Sequence, residues 1–236
     1  MRGVFVSGTG TEVGKTVVAA VAAHAARAAG ARVAVFKPAV SGLDDHPLRP
    51  EVWECAPELP DHALLRLASG SGQGDDEIAP YRYRPAVSPH LAAELAGERI
   101  DPDRLRGGAL AATQGADLLV CEGVGGFLVP LSADYLVRDL ARDLALPVII
   151  VSPAGLGTIN HTLLTIEAVR NAGLDLAAVV LNPWPAEPSP MELSNLETIR
   201  RLGAVAVDTL PRLDLTAPES WPPLVVSEPG RRLRAA

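Results

Sequence analysis

Near its amino terminus the chain carries Gly8-Thr9-Gly10-Thr11-Glu12-Val13-Gly14-Lys15-Thr16. Glycines at this spacing let a backbone approach a polyphosphate closely. A helix beginning at the lysine turns its unpaired N–H groups, and roughly half a positive charge, toward the anion. Lys15 can reach the terminal phosphates, and the Thr16 hydroxyl can hold Mg²⁺. The apolar run Val4-Phe5-Val6 precedes the loop and an alanine-rich stretch begins at Val17, giving the order strand, glycine loop, helix that a phosphate-binding loop requires. The usual pattern has a glycine where this chain has Thr9, so the loop counted from Gly8 is one residue longer. It is a variant loop. The alternative, a glycine-rich turn that merely starts a helix, is disfavoured by the intact Gly14-Lys15-Thr16.

In an open α/β sheet, ligands gather at the carboxyl ends of the strands. The segments that follow the apolar runs are therefore the next candidates. They are Lys37-Pro38-Ala39-Val40-Ser41-Gly42, Glu122-Gly123-Val124-Gly125-Gly126, Gly155-Leu156-Gly157-Thr158-Ile159-Asn160-His161, and Asn182. Glu122 ends an apolar strand, where an acid can partner Mg²⁺ rather than simply face water. Lys37 and Lys15 are the only lysines in the chain. A compact ammonium at a strand end suits a phosphoryl group in transfer or an anionic substrate better than a solvated surface. On that reading Lys37→Gln cuts turnover and leaves the fold intact. Thr158 has N-cap chemistry, and the N–H groups around it can hold a carboxylate or belong to an ordinary cap.

Positioning these residues requires a sheet. Short apolar runs at 4–7, 32–36, 117–121, 147–151, 177–181 and 204–209 alternate with helical patterns at 15–29, 62–68, 89–96, 103–113, 134–144, 158–172 and 191–202. Consecutive apolar residues within a run mark strands covered on both faces. The alternation predicts one α/β domain over 1–236, of P-loop NTPase type, with a parallel sheet and helices on both faces. Pro-rich stretches at 38–60 and 183–190 interrupt the rhythm and read as surface loops.

With 236 residues the chain can build one full core. A formal charge of −7 argues against nucleic acid or anionic membrane as partners. Cys55 and Cys121 lie far apart without metal-ligand spacing, and Cys121 sits in an apolar run, so a reducing cytoplasm fits. No apolar stretch reaches the ~20 residues of a membrane span. His24 and Arg27 interrupt the one stretch that could pass for a signal peptide. The basic end at 231–234 reads as a solvated terminus.

Taken together these motifs resemble the dethiobiotin synthetase family. Its loop has the form Gly-Thr-x-Thr-x-Val-Gly-Lys-Thr, which residues 8–16 fit at every fixed position, and this accounts for the extra residue. Lys37-Pro38 with Ser41-Gly42, Glu122-Gly123 with Gly125-Gly126 and Pro130-Leu131, Leu156-Gly157 with Asn160-His161, and Ser88-Pro89-His90 fit further family segments. The resemblance spans 4–182. It implies ATP-dependent carboxylation and ring closure of 7,8-diaminononanoate with CO₂ through a carbamic–phosphoric anhydride, in biotin biosynthesis. Lys15 and Lys37 are then catalytic. Thr16, Glu122 and an aspartate hold Mg²⁺. Asp61 is the best match for that aspartate, with Asp44 and Asp45 as the other candidates. Glu12, Val13, Gly14, Lys15, Thr16, Val17, Asp61, Glu122, Gly123, Val124, Gly125 and Asn182 contact ATP, joined by Pro211, Arg212 and Leu213 in a late base-contacting loop. Thr11, Lys37, Ser41, Gly157 and Asn160 contact the substrate. The resemblance also implies a homodimer, with the 155–160 turn of one subunit serving its partner's site. Val124 stands where alanine is usual, and Pro183 replaces a polar neighbour of Asn182. The related cobyrinate amidases carry a further glutaminase domain, for which this chain is too short. A positioning ATPase of the ParA/MinD type would usually have a second lysine near the loop's start, where this chain has Thr9 and Gly10.

Overall fold

A computed structural model describes residues 1–43, 59–222 and 224. In chain order its elements are β1 (Gly3–Gly8), α1 (Lys15–Ala28), β2 (Val33–Phe36), α2 (Asp61–Ser69), α3 (Asp75–Ile78), α4 (Pro89–Leu95), α5 (Pro102–Ala112) and β3 (Leu118–Glu122). There follow β4 (Pro130–Ser132), β5 (Tyr135–Leu136), α6 (Val137–Leu144), β6 (Val148–Ser152), α7 (Thr158–Asn171), β7 (Leu176–Trp184), α8 (Pro190–Gly203) and β8 (Val207–Pro211). Six strands form one sheet in the order β2-β3-β1-β6-β7-β8, and every pairing in it is parallel. The α/β architecture expected from the alternating pattern is therefore present.

The sheet has two buried faces because successive strand side chains point to opposite sides. Val4, Val6, Val35, Val120 and Ile149 pack on one side with α1, α2 and Ile78. Phe5, Phe36, Leu119, Cys121 and Ile150 pack on the other, with residues of α4 through α8. Phe5 is fully buried between neighbouring strands, and truncating it to alanine would cost about 3–5 kcal/mol. The first half of α1 is buried on all sides, from Lys15 to Ala23. That is why its run of alanine and valine lacks the polar stripe of a surface helix.

Several boundaries move from those the pattern suggests. The run at 204–209 becomes Val207–Pro211, because α8 continues to Gly203 and Ala204 turns out of it in the left-handed region at φ 45°. The helix expected at 134–144 starts at Val137. Ahead of it, Pro130–Ser132 and Tyr135–Leu136 form a small antiparallel hairpin, and Asp139 accepts the Leu136 N–H at 2.9 Å to set the helix start. The loop expected at 183–190 shrinks, since β7 runs to Trp184 opposite Pro211 and α8 begins at Pro190 behind a Ser189 cap. The start of the loop expected at 38–60 is not a surface segment: Pro38, Ala39 and Val40 are buried, and Val40 bridges to Arg82. Asp44, Asp45, Cys55 and the basic stretch at 231–234 lie outside the described residues.

Along its outer side β2 is covered by side chain and loop. Gln73 accepts the Val35 N–H at 2.9 Å and donates to the Val35 carbonyl at 3.0 Å. Just beyond, the Lys37 N–H bonds the Ile78 carbonyl and the Val40 N–H bonds that of Tyr81.

Candidate active site

The phosphate loop leaves β1 at Gly8 and enters α1 at Lys15. A side chain at Gly8 would approach Val13 Cγ2 to 2.7 Å, so only glycine lets the loop fold back this tightly. Gly14 caps α1 at φ 85°, a conformation natural to glycine. Glu12 also lies in the left-handed region, at φ 61°. Lys15 is buried and donates to the carbonyl of Gly10 at 2.8 Å, laying its ammonium back over the loop. Burial lowers its pKa to about 8, only partly offset by the charge of Glu122.

The carboxyl ends of β2 and β3 bring the other charged groups to the loop. Lys37, one residue past β2, donates to Glu122 Oε1 at 2.5 Å and to Asp61 Oδ2 at 2.6 Å. Thr16, the second residue of α1, donates to the same Glu122 oxygen at 2.9 Å. Burial by itself would depress the Lys37 ammonium, but the charges of Asp61 and Glu122 and hydrogen bonds to both outweigh it, so its pKa is raised. Burial also pushes the Glu122 carboxyl up, against the pull of Lys37. Thr16, Lys37, Asp61 and Glu122 thus form one cluster, and Asp61 enters it as the first residue of α2.

The donor set fits Mg²⁺. Two carboxylates flank one cationic position, filled here by the Lys37 ammonium, and the Thr16 hydroxyl meets the same Glu122 oxygen. Glu122 Oε2 is buried and has no hydrogen-bond partner among the described residues. Mg²⁺ is usually held by one or two carboxylates together with phosphates and water, not by an all-protein cage.

The remaining predicted residues fall into three groups. Gly123 is buried behind Glu122, and Val124 and Gly125 continue that loop. Its Gly126 faces the backbone of Gly8, Thr9 and Gly10 at 3.7–3.9 Å from where a side chain would begin. At the end of β7, Asn182 donates to the carbonyl of Val13 at 3.0 Å, which ties that strand to the phosphate loop. Its Oδ1 is buried without a partner among the described residues. Val17 is buried within α1, and Leu213 packs its side chain into the same apolar cluster. Any base contact from Leu213 would therefore come from its backbone, while Pro211 and Arg212 remain exposed. Thr11, Gly157 and Asn160 are exposed and Ser41 is half-buried. Among the described residues, no hydrogen bond joins Thr11 or Ser41 to the Lys37 cluster.

Two features went unread in the sequence. Ser152, at the end of β6, lies 2.8 Å from Thr158 Oγ1, accepts from Thr162 Oγ1 at 2.8 Å and stands 3.3 Å from Thr9 Oγ1. Asn195 on α8 is buried and donates to the carbonyls of Ala154 and Gly155. Both carried a signal: Ser152 sits at a strand's carboxyl end, and Asn195 shares a helical face with the buried Ile199.

A family model described as "AAA domain" matches residues 2–218. The ATP-dependent dethiobiotin synthetase BioD of Aromatoleum aromaticum is 42% identical over 202 residues, covering 85% of this chain and 85% of that protein. The protein of the same name from Bacillus subtilis (strain 168) is 34% identical over 207 residues, covering 88% of this chain and 85% of that one. Among solved structures, the MinC:MinD cell division protein complex of Aquifex aeolicus matches with a TM-score of 0.54 at 13% identity, over 90% of this chain and 82% of that one. At that identity the likeness speaks for the fold alone.

Proposed function

The chain belongs to the dethiobiotin synthetase family, and from that premise we propose that it is an ATP-dependent cyclo-ligase closing the ureido ring of dethiobiotin. Its substrates are 7,8-diaminononanoate, CO₂ and ATP. The observation that carries the reading is the cluster of buried Lys37, Glu122 and Thr16 with the partly exposed Asp61, beside a phosphate loop that holds the chain's other lysine.

One substrate amine takes up CO₂ as a carbamate. A carbamate oxygen then bonds the γ-phosphorus while the bond from that phosphorus to the bridging oxygen breaks, and ADP leaves. The second amine attacks the carbamate carbon of the resulting anhydride. The carbon–oxygen bond to phosphate breaks, the ring closes, and the amine's proton passes to phosphate or solvent. Little covalent chemistry falls to the protein, whose work is positioning and electrostatic stabilisation. The loop from Glu12 to Thr16 cradles the phosphates, with Val17 following in the first turn of α1. Lys15, desolvated and only partly neutralised by Glu122, is poised to exchange the Gly10 carbonyl for a phosphate oxygen. Lys37 brings a second cation from the acid pair. Thr16, Asp61 and Glu122 would hold Mg²⁺, which would supply positive charge against that developing on the transferring phosphoryl group. Gly123, Val124 and Gly125 border the nucleotide. The orphaned Oδ1 of Asn182 suits the amino group of adenine, with Pro211, Arg212 and the backbone of Leu213 at the base's far side. Thr11, Lys37 and Ser41 meet the carbamate.

The homodimer belongs to the same proposal, with the turn carrying Gly157 and Asn160 holding the substrate carboxylate of the partner's site. Leu156 at the tip of that turn is 93% exposed and Leu164 on α7 is 56% exposed, apolar surface that a second copy would cover. A cytoplasmic location is part of this reading, and no described helix is long and apolar enough to cross a membrane. The test is incubation with diaminononanoate, bicarbonate and Mg·ATP, with mass detection of dethiobiotin. ATP hydrolysis coupled to DNA or lipid binding, without a cyclic urea, would refute it.

A further inference from the structure

Lys37 engages two of the three side chains that the reading above gives to Mg²⁺. Its Nζ lies 2.5 Å from Glu122 Oε1 and 2.6 Å from Asp61 Oδ2. Thr16, the third, donates to that same Glu122 oxygen at 2.9 Å. A divalent ion bonded to either oxygen at about 2.1 Å would stand within about 5 Å of the ammonium nitrogen. The side chains of Lys37 and Glu122 are buried, and little water reaches between them. Like charges that close repel strongly in such surroundings.

Relief requires movement of one side chain only. The Lys37 N–H is bonded to the Ile78 carbonyl at 2.7 Å and the Val40 N–H to that of Tyr81 at 2.9 Å, so the backbone of this segment is pinned. The flexible stem of a lysine lets its ammonium swing from a fixed Cα. Lys15 is arranged differently. Its ammonium bonds the Gly10 carbonyl at 2.8 Å, with no hydrogen bond to either acid among the described residues.

We propose that Lys37 is an internal counter-cation that must give up both Asp61 and Glu122 before a divalent ion binds them. Free Mg²⁺ is then excluded until phosphates arrive with it, and the ammonium is released toward the substrate in the same event. The inference rests on the reading that Thr16, Asp61 and Glu122 receive the metal. It adds that metal and Lys37 exclude each other. The alternative is an ion held through the unpartnered Glu122 Oε2, with Lys37 left in place.

The test titrates the full-length protein, Lys37→Met and Lys15→Met with Mn²⁺ in the absence of nucleotide, reading unbound ion by electron paramagnetic resonance. Both variants lose one positive charge beside the cluster, but only the first frees the acids. Lys37→Met should bind Mn²⁺ roughly tenfold or more tighter than the parent, and Lys15→Met within about threefold of it. Added Mg²⁺ should raise the urea midpoint of Lys37→Met and leave that of the parent in place. Equal gains in the two variants, or no gain in Lys37→Met, would overturn the inference. A crystal of the parent with Mg²⁺ and adenylyl imidodiphosphate gives a reading that no variant's folding affects. Lys37 Nζ should there lie beyond hydrogen-bond distance of both acids. An ammonium still bonded to either one overturns the inference, and an ion bound away from the cluster refutes the metal reading with it. None of these readings needs turnover. A parent that forms no cyclic urea refutes the ring-closure reading and leaves the competition to its own result, whereas an active parent with no metal gain in Lys37→Met refutes the competition alone.

Discussion

Removing the Lys37 ammonium tests the central cluster most severely. The side chains of Lys37 and Glu122 are 5% and 1% exposed, and that of Asp61 is 23% exposed. Lys37→Gln therefore leaves two neighbouring carboxylates with no cation between them. Deleting one member of a buried pair costs about 3–5 kcal/mol, most of it the penalty of an uncompensated charge. The hydrogen bond from Thr16 and the partial exposure of Asp61 place this case near 3 kcal/mol on that scale. Such a loss is a large share of the ~5–15 kcal/mol that holds a domain together. The variant should lose turnover and also unfold at roughly 1 M less urea. This corrects the expectation from sequence alone, in which the fold was untouched. The pH dependence has a definite sign. Burial already raises the Glu122 carboxyl above its unfolded value of 4.5, and loss of Lys37 raises it further. Between those two values the folded state binds more protons than the unfolded one, so stability falls as pH rises through that window. The deficit of Lys37→Gln should accordingly shrink toward pH 5, and adding Glu122→Gln should recover most of it at pH 7. A single variant within about 0.5 kcal/mol of the parent at pH 7 would show that the cluster is not the buried ion pair described here.

Two further outcomes follow from the loop. Burial brings Lys15 to about 8 against 10.5 in the unfolded chain, so the unfolded chain binds more protons between these values and stability without nucleotide should rise with pH there, by up to about 3 kcal/mol. Urea titrations from pH 7.5 to 10 measure it, and an identical slope in Lys15→Met would dismiss Lys15 as the source. Thr16→Ala should weaken Mg·ATP binding by about tenfold or more while leaving metal-free ATP binding nearly unchanged; equal affinities for Mg·ATP in parent and variant, by calorimetry, would remove Thr16 from the metal site.

The sequence was most legible where a backbone rule and a chemical role coincide. The 8–16 segment needed glycine for its turn and lysine for its charge, and the order of apolar runs required a parallel sheet whose carboxyl ends converge. Lys37 and Glu122 were found because each ends such a run. What escaped was set by tertiary contact. Pairing of Lys37 with Asp61 depends on where α2 starts, after residues whose spacing carries no periodic signal. Leu213 was expected in a base-contacting loop on the resemblance of Pro211-Arg212-Leu213 to a family segment, and only the fold shows its side chain in the apolar layer beside α1. Asn195 interrupts an apolar helical face, but only the folded turn shows which carbonyls it serves. The hairpin at Pro130–Ser132 and Tyr135–Leu136 is too short for alternation to register, and so the helix behind it was started early.

The amide of Gln73 has a consequence beyond the active site. An outermost strand with free donors and acceptors is a template on which another chain can grow a fibril. By engaging both polar groups of Val35, Gln73 imitates one residue of a neighbouring strand and ends the ladder there. At the opposite margin Arg200 caps the Val207 carbonyl at 3.2 Å. Each outer strand thus has a side chain occupying backbone groups that a further strand would need, and Gln73→Val would free those of Val35 for pairing with another chain.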